Sequence, residues 1–307
     1  MKKYLFILII LLCSQVLQAK TKPKLFSSDW PVWYLLQGMQ QEHLLDDFDY
    51  KNVSYDTCLK WFEAGNLDVT FMTFYDFIAL QPTKEPTVIL AITDYSYGGD
   101  KIILKNTIKT GDKLKNKKII LSSDSISLWL LHNYLQTHQL TLNDVELVNQ
   151  KTNLAPLQFN SSNEFSAVVG WEPAIDKAIT PMSYLAASSA QYPEVIYDLL
   201  VAKKSFVDQH PDKVQQLISN FYQHSQSASV IKSTADTLNV SSQEYQSRLK
   251  SAYSFKKQQQ ANKQKDKLVQ KAVDILHFLS LPPKSLNNEN AREKFKTRTI
   301  DIETLIN

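Results

Sequence analysis

Short apolar runs alternate with longer amphipathic stretches from residue 20 to about residue 210. Runs rich in Val, Ile, Leu and Phe and bounded by polar residues are typical of buried strands. We predict strands at Lys24–Ser27, Tyr50–Ser54, Val69–Met72, Thr87–Thr93, Lys101–Leu104, Lys118–Leu121, Val145–Val148, Ala167–Val169 and Val195–Ala202. Helical spacing of apolar residues predicts helices between them, at Trp33–Gln41, Tyr55–Ala64, Asp76–Leu80 and Ser125–Thr137. This alternation predicts an α/β architecture with parallel strands.

The pattern changes after Pro211, where helical spacing predominates. We predict helices at Asp212–Ala228, Ser241–Ser254 and Asp266–Leu279, the last ended by Pro282 and Pro283. The stretch Phe255–Lys271 carries six lysines against one aspartate. A basic run of this kind predicts a solvated helix face or loop.

The N-terminus has the pattern of an export signal. Lys2 and Lys3 precede the apolar run Tyr4–Leu12, which is too short for a stable membrane anchor. We predict that residues 1–19 are a signal peptide cleaved after Ala19, so that the mature protein is periplasmic. The alternative is a lipid anchor through Cys13.

Composition narrows the function classes. The net charge of +3, from 34 Lys and Arg against 31 Asp and Glu, is too small for a nucleic-acid binder. No glycine-rich phosphate motif occurs among the six glycines, and the six histidines form no H-E-x-x-H pair. No G-x-S-x-G motif occurs either, and Cys58 has no catalytic signature. We therefore predict a protein without enzymatic activity, cofactor or metal site.

Two segments in the first part of the chain carry candidate ligand-binding residues. In Ser27–Tyr34, a strand end runs into a helix start, and Asp29, Trp30 and Trp33 offer a carboxylate and flat aromatic faces. The alternative is a helix cap with core aromatics. In Ala64–Asp76, Thr73 follows the carboxyl end of a predicted strand, where open α/β sheets bind ligands. Capping of the next helix explains this threonine equally well.

Further candidates lie in the middle of the chain. The polar segment Thr93–Asp100 contributes Asp94, Tyr95, Ser96 and Asp100, and its alternative interpretation is a hairpin turn at Gly98-Gly99. Segment Ser166–Pro173 contributes Trp171 and Glu172. Segment Ser122–Ser127 contributes Ser123 and Ser125 as a candidate anion pocket, with helix capping as its alternative role.

In this order, the segments resemble one family, the periplasmic substrate-binding proteins of nitrate/sulfonate/taurine-type ABC importers. The resemblance rests on Trp30-Pro31, on Ala64 to Asp68, on Asp94 to Asp100 and on Trp171-Glu172-Pro173, and it spans about Leu25 to Phe206. It implies a type II periplasmic binding protein fold: two α/β lobes joined by two crossing strands around a ligand cleft, with extra C-terminal helices. The implied lobes are 20–105 plus 195–307 and 106–194.

The resemblance also implies a function. A monomeric receptor would close over a small molecule, deliver it to an ABC permease in the inner membrane and bind no nucleic acid. All three arginines, Arg248, Arg292 and Arg298, lie in the C-terminal part, so an arginine clamp on an anion is not expected in the cleft. The acidic and aromatic candidates instead predict an amine-bearing or zwitterionic ligand, such as an aminosulfonate or a pyrimidine-like compound, with any acidic end at Ser123–Ser127. A sensory module that signals to a membrane receptor is the alternative, and an enzyme on the same fold is a more distant one.

Overall fold

The computed structural model describes residues 21–80, 85–281 and 283–284. The predicted signal peptide, Cys13 and the helix stop at Pro282 lie outside the described residues. So do two of the three arginines, Arg292 and Arg298.

Strands and helices alternate over most of the described chain. The strands are β1 Lys24–Ser27, β2 Asp49–Asn52, β3 Val69–Thr73, β4 Thr87–Ser96, β5 Asp100–Lys105, β6 Lys118–Leu121, β7 Glu146–Asn149, β8 Phe165–Trp171, β9 Ser183–Ser188, β10 Tyr197–Lys203 and β11 Ala252–Ser254. The α-helices are α1 Leu35–Gln41, α2 Tyr55–Glu63, α3 Phe74–Leu80, α4 Ile126–Thr137, α5 Ala155–Ser161, α6 Lys204–Gln209, α7 Pro211–His224, α8 Ala228–Thr237, α9 Ser242–Leu249, α10 Gln258–Asn262 and α11 Lys265–Leu279.

The strands form two sheets. A six-stranded sheet has the order β11-β4-β10-β3-β1-β2, and a five-stranded sheet has the order β7-β6-β8-β5-β9. The predicted α/β fold with two lobes is confirmed, but the prediction of parallel strands is only partly right. Strands β1, β2 and β3 pair in parallel, as do β6, β7 and β8, whereas β10 pairs antiparallel to β3 and β4, and β5 pairs antiparallel to β8 and β9.

Two connections cross between the sheets. Strand β4 belongs to the six-stranded sheet and β5 to the five-stranded sheet, so residues 97–99 cross between the sheets. The chain returns through residues 189–196. The hairpin interpretation of Gly98-Gly99 is therefore wrong, because the strands on either side do not pair. The lobe limits at 105/106 and 194/195 stay a prediction, and the pairing places Asp100–Lys105 in the five-stranded sheet.

The C-terminal part differs most from the prediction. The predicted helix Ser241–Ser254 ends at Leu249 and is followed by β11, whose Tyr253 pairs with Tyr95 of β4. The Ser251 carbonyl accepts hydrogen bonds from the Tyr97 and Gly99 amides, which fixes the extended segment beside the crossing residues. Helices α5, α6, α8 and α10 and strand β9 were not predicted from the pattern.

Close helix packing supports the six-stranded sheet. Helix α1 packs against α8, and a Cβ atom on Gly38 would lie 2.3 Å from Thr234 Oγ1 and from the Val230 carbonyl oxygen. Only glycine permits this approach. Cys58 is buried on α2, as expected for a small apolar residue. Within the described ranges, no helix has the length and apolar character needed to cross a membrane.

Candidate functional site

A cavity of about 300 Å³, including its opening to solvent, lies between the two sheets. We call it the central cavity. Its lining comes from both sheets and from the connections between them: Trp30, Trp33, Tyr55, Thr73, Asp100, Ile126, Trp171, Ile196 and Asp198.

Aromatic rings form one wall of the central cavity. The turn after β1 carries Trp30 and Trp33, whose ring centroids lie 6.4 Å apart, and Tyr55 at the start of α2 lies 5.4 Å from Trp33. The Tyr245 hydroxyl donates to the Pro31 carbonyl and holds this turn in place. Such rings give a ligand apolar contact and, through their faces, attraction for a cation.

Hydrogen bonds fix Tyr55 in this wall. Its hydroxyl donates to Asp76 Oδ2 at 2.7 Å and accepts from the Thr73 amide at 3.0 Å. Thr73 Oγ1 accepts from the Asp76 amide and donates to the Asp76 carboxylate. The capping interpretation of Thr73 is confirmed, because its side chain caps α3; Thr73 also lines the central cavity, and its role in ligand binding stays a prediction.

The opposite wall comes from the five-stranded sheet. Trp171 ends β8 and meets Tyr55 edge to face at a centroid distance of 6.0 Å, so the two walls touch through these rings. Trp171 also donates a hydrogen bond to the Asp29 carboxylate on the other side. Burial raises the pKa of Asp29, and this hydrogen bond opposes the rise.

Two carboxyl groups face each other at the base of the cavity. Asp94 of β4 and Asp198 of β10 are register partners in the antiparallel pair, and both side chains are buried. Asp94 also accepts from Trp30 Nε1 and from Thr93 Oγ1, each at 2.8 Å. We call Asp94 and Asp198 the acid pair. Two buried carboxylates at neighbouring positions repel each other, so the acid pair holds one proton.

Burial changes the proton affinity of all three carboxyl groups at the site. It raises the pKa of Asp198 well above the usual value, with Asp94 acting in the same direction, and it raises the pKa of Asp94. It also raises the pKa of Asp100 to about 7; Glu172 and Asp94 add to the rise, while Ser96 and Lys101 oppose it. Clusters of perturbed groups in a cleft are typical of functional sites.

Two polar atoms on lining residues have no hydrogen-bond partner. They are Trp33 Nε1, a donor, and Asp198 Oδ2, and both side chains are at least 97% buried, with exposures of 3% and 2%. A buried polar atom without a partner is costly unless a ligand satisfies it. The lining residues within the described chain include no Lys, Arg or His.

The structure brings five predicted site residues together in the central cavity: Trp30, Trp33, Thr73, Asp100 and Trp171. Four lining residues were missed by the sequence analysis. Tyr55 and Ile126 were predicted only to belong to helices. Ile196 and Asp198 were predicted only to belong to a strand. An aspartate in an otherwise apolar strand is the signal that would have found Asp198.

The other predicted residues do not line the cavity, for different reasons. Asp29 and Asp94 lie behind the wall and hold Trp171 and Trp30. Tyr95 stacks on Tyr253 at 4.9 Å beside the edge strand β11, and Ser96 Oγ contacts Ser189 Oγ at 2.7 Å between the two crossing connections. These two were wrongly expected to face the ligand.

The remaining three corrections concern the five-stranded sheet. Glu172 forms an ion pair with Lys101, which also pairs with Asp176. Ser123 Oγ donates to Asn149 Oδ1, and Ser125 caps α4 through a hydrogen bond from the Ser127 amide. Because these side chains already have partners, the capping interpretation holds for Ser125. Ser127 Oγ is buried without a partner, next to Ile126.

The architecture and the aromatic cleft define the class of fold, that of the two-lobed periplasmic binding proteins. Residues 101–223 match the model of the NMT1/THI5-like family. No curated protein matches the chain by sequence. The solved structures below share the two-lobed fold that the resemblance to the nitrate/sulfonate importer family implies.

Three solved structures illustrate the likeness. The periplasmic aliphatic sulphonate binding protein SsuA from Escherichia coli is 16% identical, with a TM-score of 0.66 over 90% of this chain and 92% of that chain. The periplasmic nitrate-binding protein NrtA from Synechocystis PCC 6803 is 12% identical, with a TM-score of 0.64 over 93% and 86%. The desulfurization enzyme DSZB is 16% identical, with a TM-score of 0.56 over 89% and 98%. Most of these names are those of binding proteins, but identities this low establish the fold alone.

Proposed function

We propose that this protein is the periplasmic solute-binding component of an ABC importer related to the nitrate/sulfonate group. It captures a small amine-bearing or zwitterionic molecule between its two lobes and delivers it to a membrane permease. Catalysis is not part of this role.

The observation that carries the proposal is the composition of the central cavity. Aromatic rings from both sheets enclose a space that holds two acidic side chains, Asp100 and Asp198, and none of the lining residues is basic. An amine satisfies this arrangement, because its N–H groups donate to carboxyl oxygens while its charge lies near ring faces. An alkanesulfonate or nitrate ion would meet carboxyl groups instead of a cationic partner.

A zwitterionic ligand would place its acidic end near the start of α4. Ile126 lines the central cavity there, and the neighbouring Ser127 hydroxyl lacks a partner. Trp33 Nε1 provides a second unpaired donor in the aromatic wall. These two donors support the zwitterionic form of the proposal, although Ser123 and Ser125 already have partners.

The geometry of the crossing connections supports capture by closure. Ser189 on the return connection contacts Ser96, and its Oγ accepts from the Gly98 amide at 2.7 Å. A ligand that touches both walls stabilises the closed arrangement.

The test is the thermal stability of the purified mature protein, starting at Lys20, with a panel of compounds. The panel contains taurine, alkanesulfonates, nitrate, aminopyrimidines, amino acids and polyamines. A ligand at ~100 times its dissociation constant adds about 2.7 kcal/mol to the free energy of unfolding. We expect a clear rise in melting temperature with an amine-bearing compound and none with nitrate. A panel without any shift would contradict the solute-binding role.

A further inference from the structure

The carboxyl groups of the central cavity differ in what they can offer a ligand. Both oxygens of Asp94 accept hydrogen bonds from protein donors, Trp30 Nε1 and Thr93 Oγ1. The ionised form therefore suits Asp94, and the shared proton of the acid pair resides on Asp198. Asp198, which lines the cavity, then presents a neutral carboxyl group to a ligand.

Asp100 lies across the cavity on the five-stranded sheet. It is 2% exposed, and its backbone amide donates to Ser96 Oγ. No basic side chain lines the cavity beside it, and the nearest one, Lys101, is already paired with Glu172 and Asp176. A buried carboxyl group with this environment holds its proton into the neutral range, and a cation placed against it favours the ionised form.

The charged and titratable groups around Asp100 come from every neighbouring element. They are Asp94 on β4, Asp198 on β10, Lys101 on β5 and Glu172 after β8, with Tyr55 across the cavity lining. Most of these groups are acidic. Their combined effect opposes a further negative charge at Asp100, so this charge is gained most readily when a cation arrives.

We propose that the central cavity takes a cation with at least two N–H groups, which donates to the Asp198 carboxyl group and to the Asp100 carboxylate and displaces the proton held by Asp100. The inference rests on the proposed function and deepens it. In the exchange, the ammonium ion keeps its own protons, the Asp100 O–H bond breaks, and one proton passes to the solvent. Binding therefore tightens as the pH rises.

Calorimetric titration with benzylammonium chloride tests the exchange. Benzyl alcohol and phenylmethanesulfonate serve as neutral and anionic probes of similar shape. With a midpoint of about 7 for Asp100, we expect benzylammonium to bind about tenfold more tightly at pH 8 than at pH 6. Titrations at pH 6 in two buffers of different ionisation enthalpy should show the release of about one proton per ligand.

Two variants test whether Asp100, and no other acidic residue, releases the proton. Asp100→Asn should bind benzylammonium more weakly at pH 8, with equal affinity at both pH values and no proton release. Asp236→Asn is the control, since Asp236 is an exposed carboxylate on α8 paired with Lys232, and it should behave as the parent. An Asp100→Asn protein that still releases the proton would overturn the assignment.

A titration of the ligand-free protein measures the protonation of Asp100 directly. Carboxyl carbon NMR of the ligand-free protein should show a signal with a midpoint near 7 that is missing from Asp100→Asn. A midpoint in the usual aspartate range overturns the proton exchange even if an amine binds. If anions alone raise the melting temperature, the hypothesis of a cationic ligand is wrong and the solute-binding role stands. If no compound raises the melting temperature, both hypotheses are wrong.

Discussion

At the scale of single residues, Asp100 links the site to the stability of the fold. Its pKa is about 7 in the folded protein and 3.8 in the reference state, so the folded chain binds this proton more tightly. Stability therefore falls as the pH rises from about 4 through 7. Asp100→Asn removes this loss, and we expect its free energy of unfolding at pH 8 to exceed that of the parent by up to about 4 kcal/mol.

The measurement is denaturant unfolding of both proteins at pH 4 and pH 8. The gain should be small at pH 4, because Asp100 is then protonated in the folded state and roughly half ionised in the unfolded state. A change of equal size at the two pH values would show that the substitution acts through packing and not through the charge.

Trp33 allows a second prediction at this scale, with a matched control on α4. Both Trp33 Nε1 and Trp129 Nε1 are buried without a hydrogen-bond partner, but only Trp33 lines the central cavity. Trp33→Phe and Trp129→Phe should therefore change the ligand-free stability by similar amounts. Only Trp33→Phe should weaken ligand binding, by about 1 kcal/mol or roughly fivefold, because the ligand loses one donor.

Binding is measured by titration with the compound that raises the melting temperature most. If Trp33→Phe and the parent bind with equal affinity, the indole N–H does not donate to the ligand. Trp33 then contributes only its ring to the cavity wall.

At the scale of elements, the hydrophobic pattern predicted what depends on local sequence. Strands β1 and β6 begin and end as predicted, and α2 ends before Gly65, whose φ of +77° suits a helix end. The hydrophobic pattern did not predict elements whose secondary structure depends on long-range contacts. Strand β11 forms in a stretch with helical spacing because the edge of β4 offers unpaired backbone groups to it.

The same distinction between local sequence and long-range contacts explains which lining residues could be predicted. Trp30 and Trp171 were found because aromatic residues at strand ends stand out in the sequence. Asp198 was missed because its role depends on register: only the antiparallel pairing of β10 with β4 sets it opposite Asp94. Two carboxyl groups 104 positions apart carry no local signal of their shared proton.

The crossing residues between β4 and β5 give an element-scale prediction. A Cβ atom on Gly99 would lie 2.5 Å from Trp30 Cη2, so Gly99→Ala forces the indole to move away from Asp94. We expect this variant to lose about 1–3 kcal/mol of stability and to bind ligand more weakly. Thermal unfolding and titration with the same ligand measure the two effects.

Gly65→Ala is the control for backbone cost alone. Gly65 has a positive φ and nothing within 4 Å of the added carbon, so its substitution should cost about 1 kcal/mol without changing affinity. If Gly99→Ala kept full affinity, the position of the Trp30 ring would not matter to the ligand.

At the scale of the whole molecule, both sheets line one site, and in the described part of the chain two connections cross between them. Tyr55 and Trp33 belong to the side of the six-stranded sheet, while Trp171, Asp100 and Ile126 belong to the side of the five-stranded sheet. A ligand that bridges these walls gains contacts available only when they are close together, so its binding energy favours the closed arrangement. Uptake and closure then become one equilibrium, and in the proposed function the permease recognises the closed arrangement from outside the cleft.

This coupling predicts a change of shape on binding. Small-angle X-ray scattering should give a smaller radius of gyration with saturating ligand than without it, because the ligand shifts the population towards closure. Trp171→Ala removes the ring that meets Tyr55 across the cleft, so this variant should bind more weakly and, at the same ligand concentration, compact less. Trp61→Ala is the control, since Trp61 is 41% exposed on α2 and away from the cavity lining. If the parent bound ligand without any compaction, the cleft would be preformed, and a permease would have to recognise the ligand-bound state by some feature other than closure.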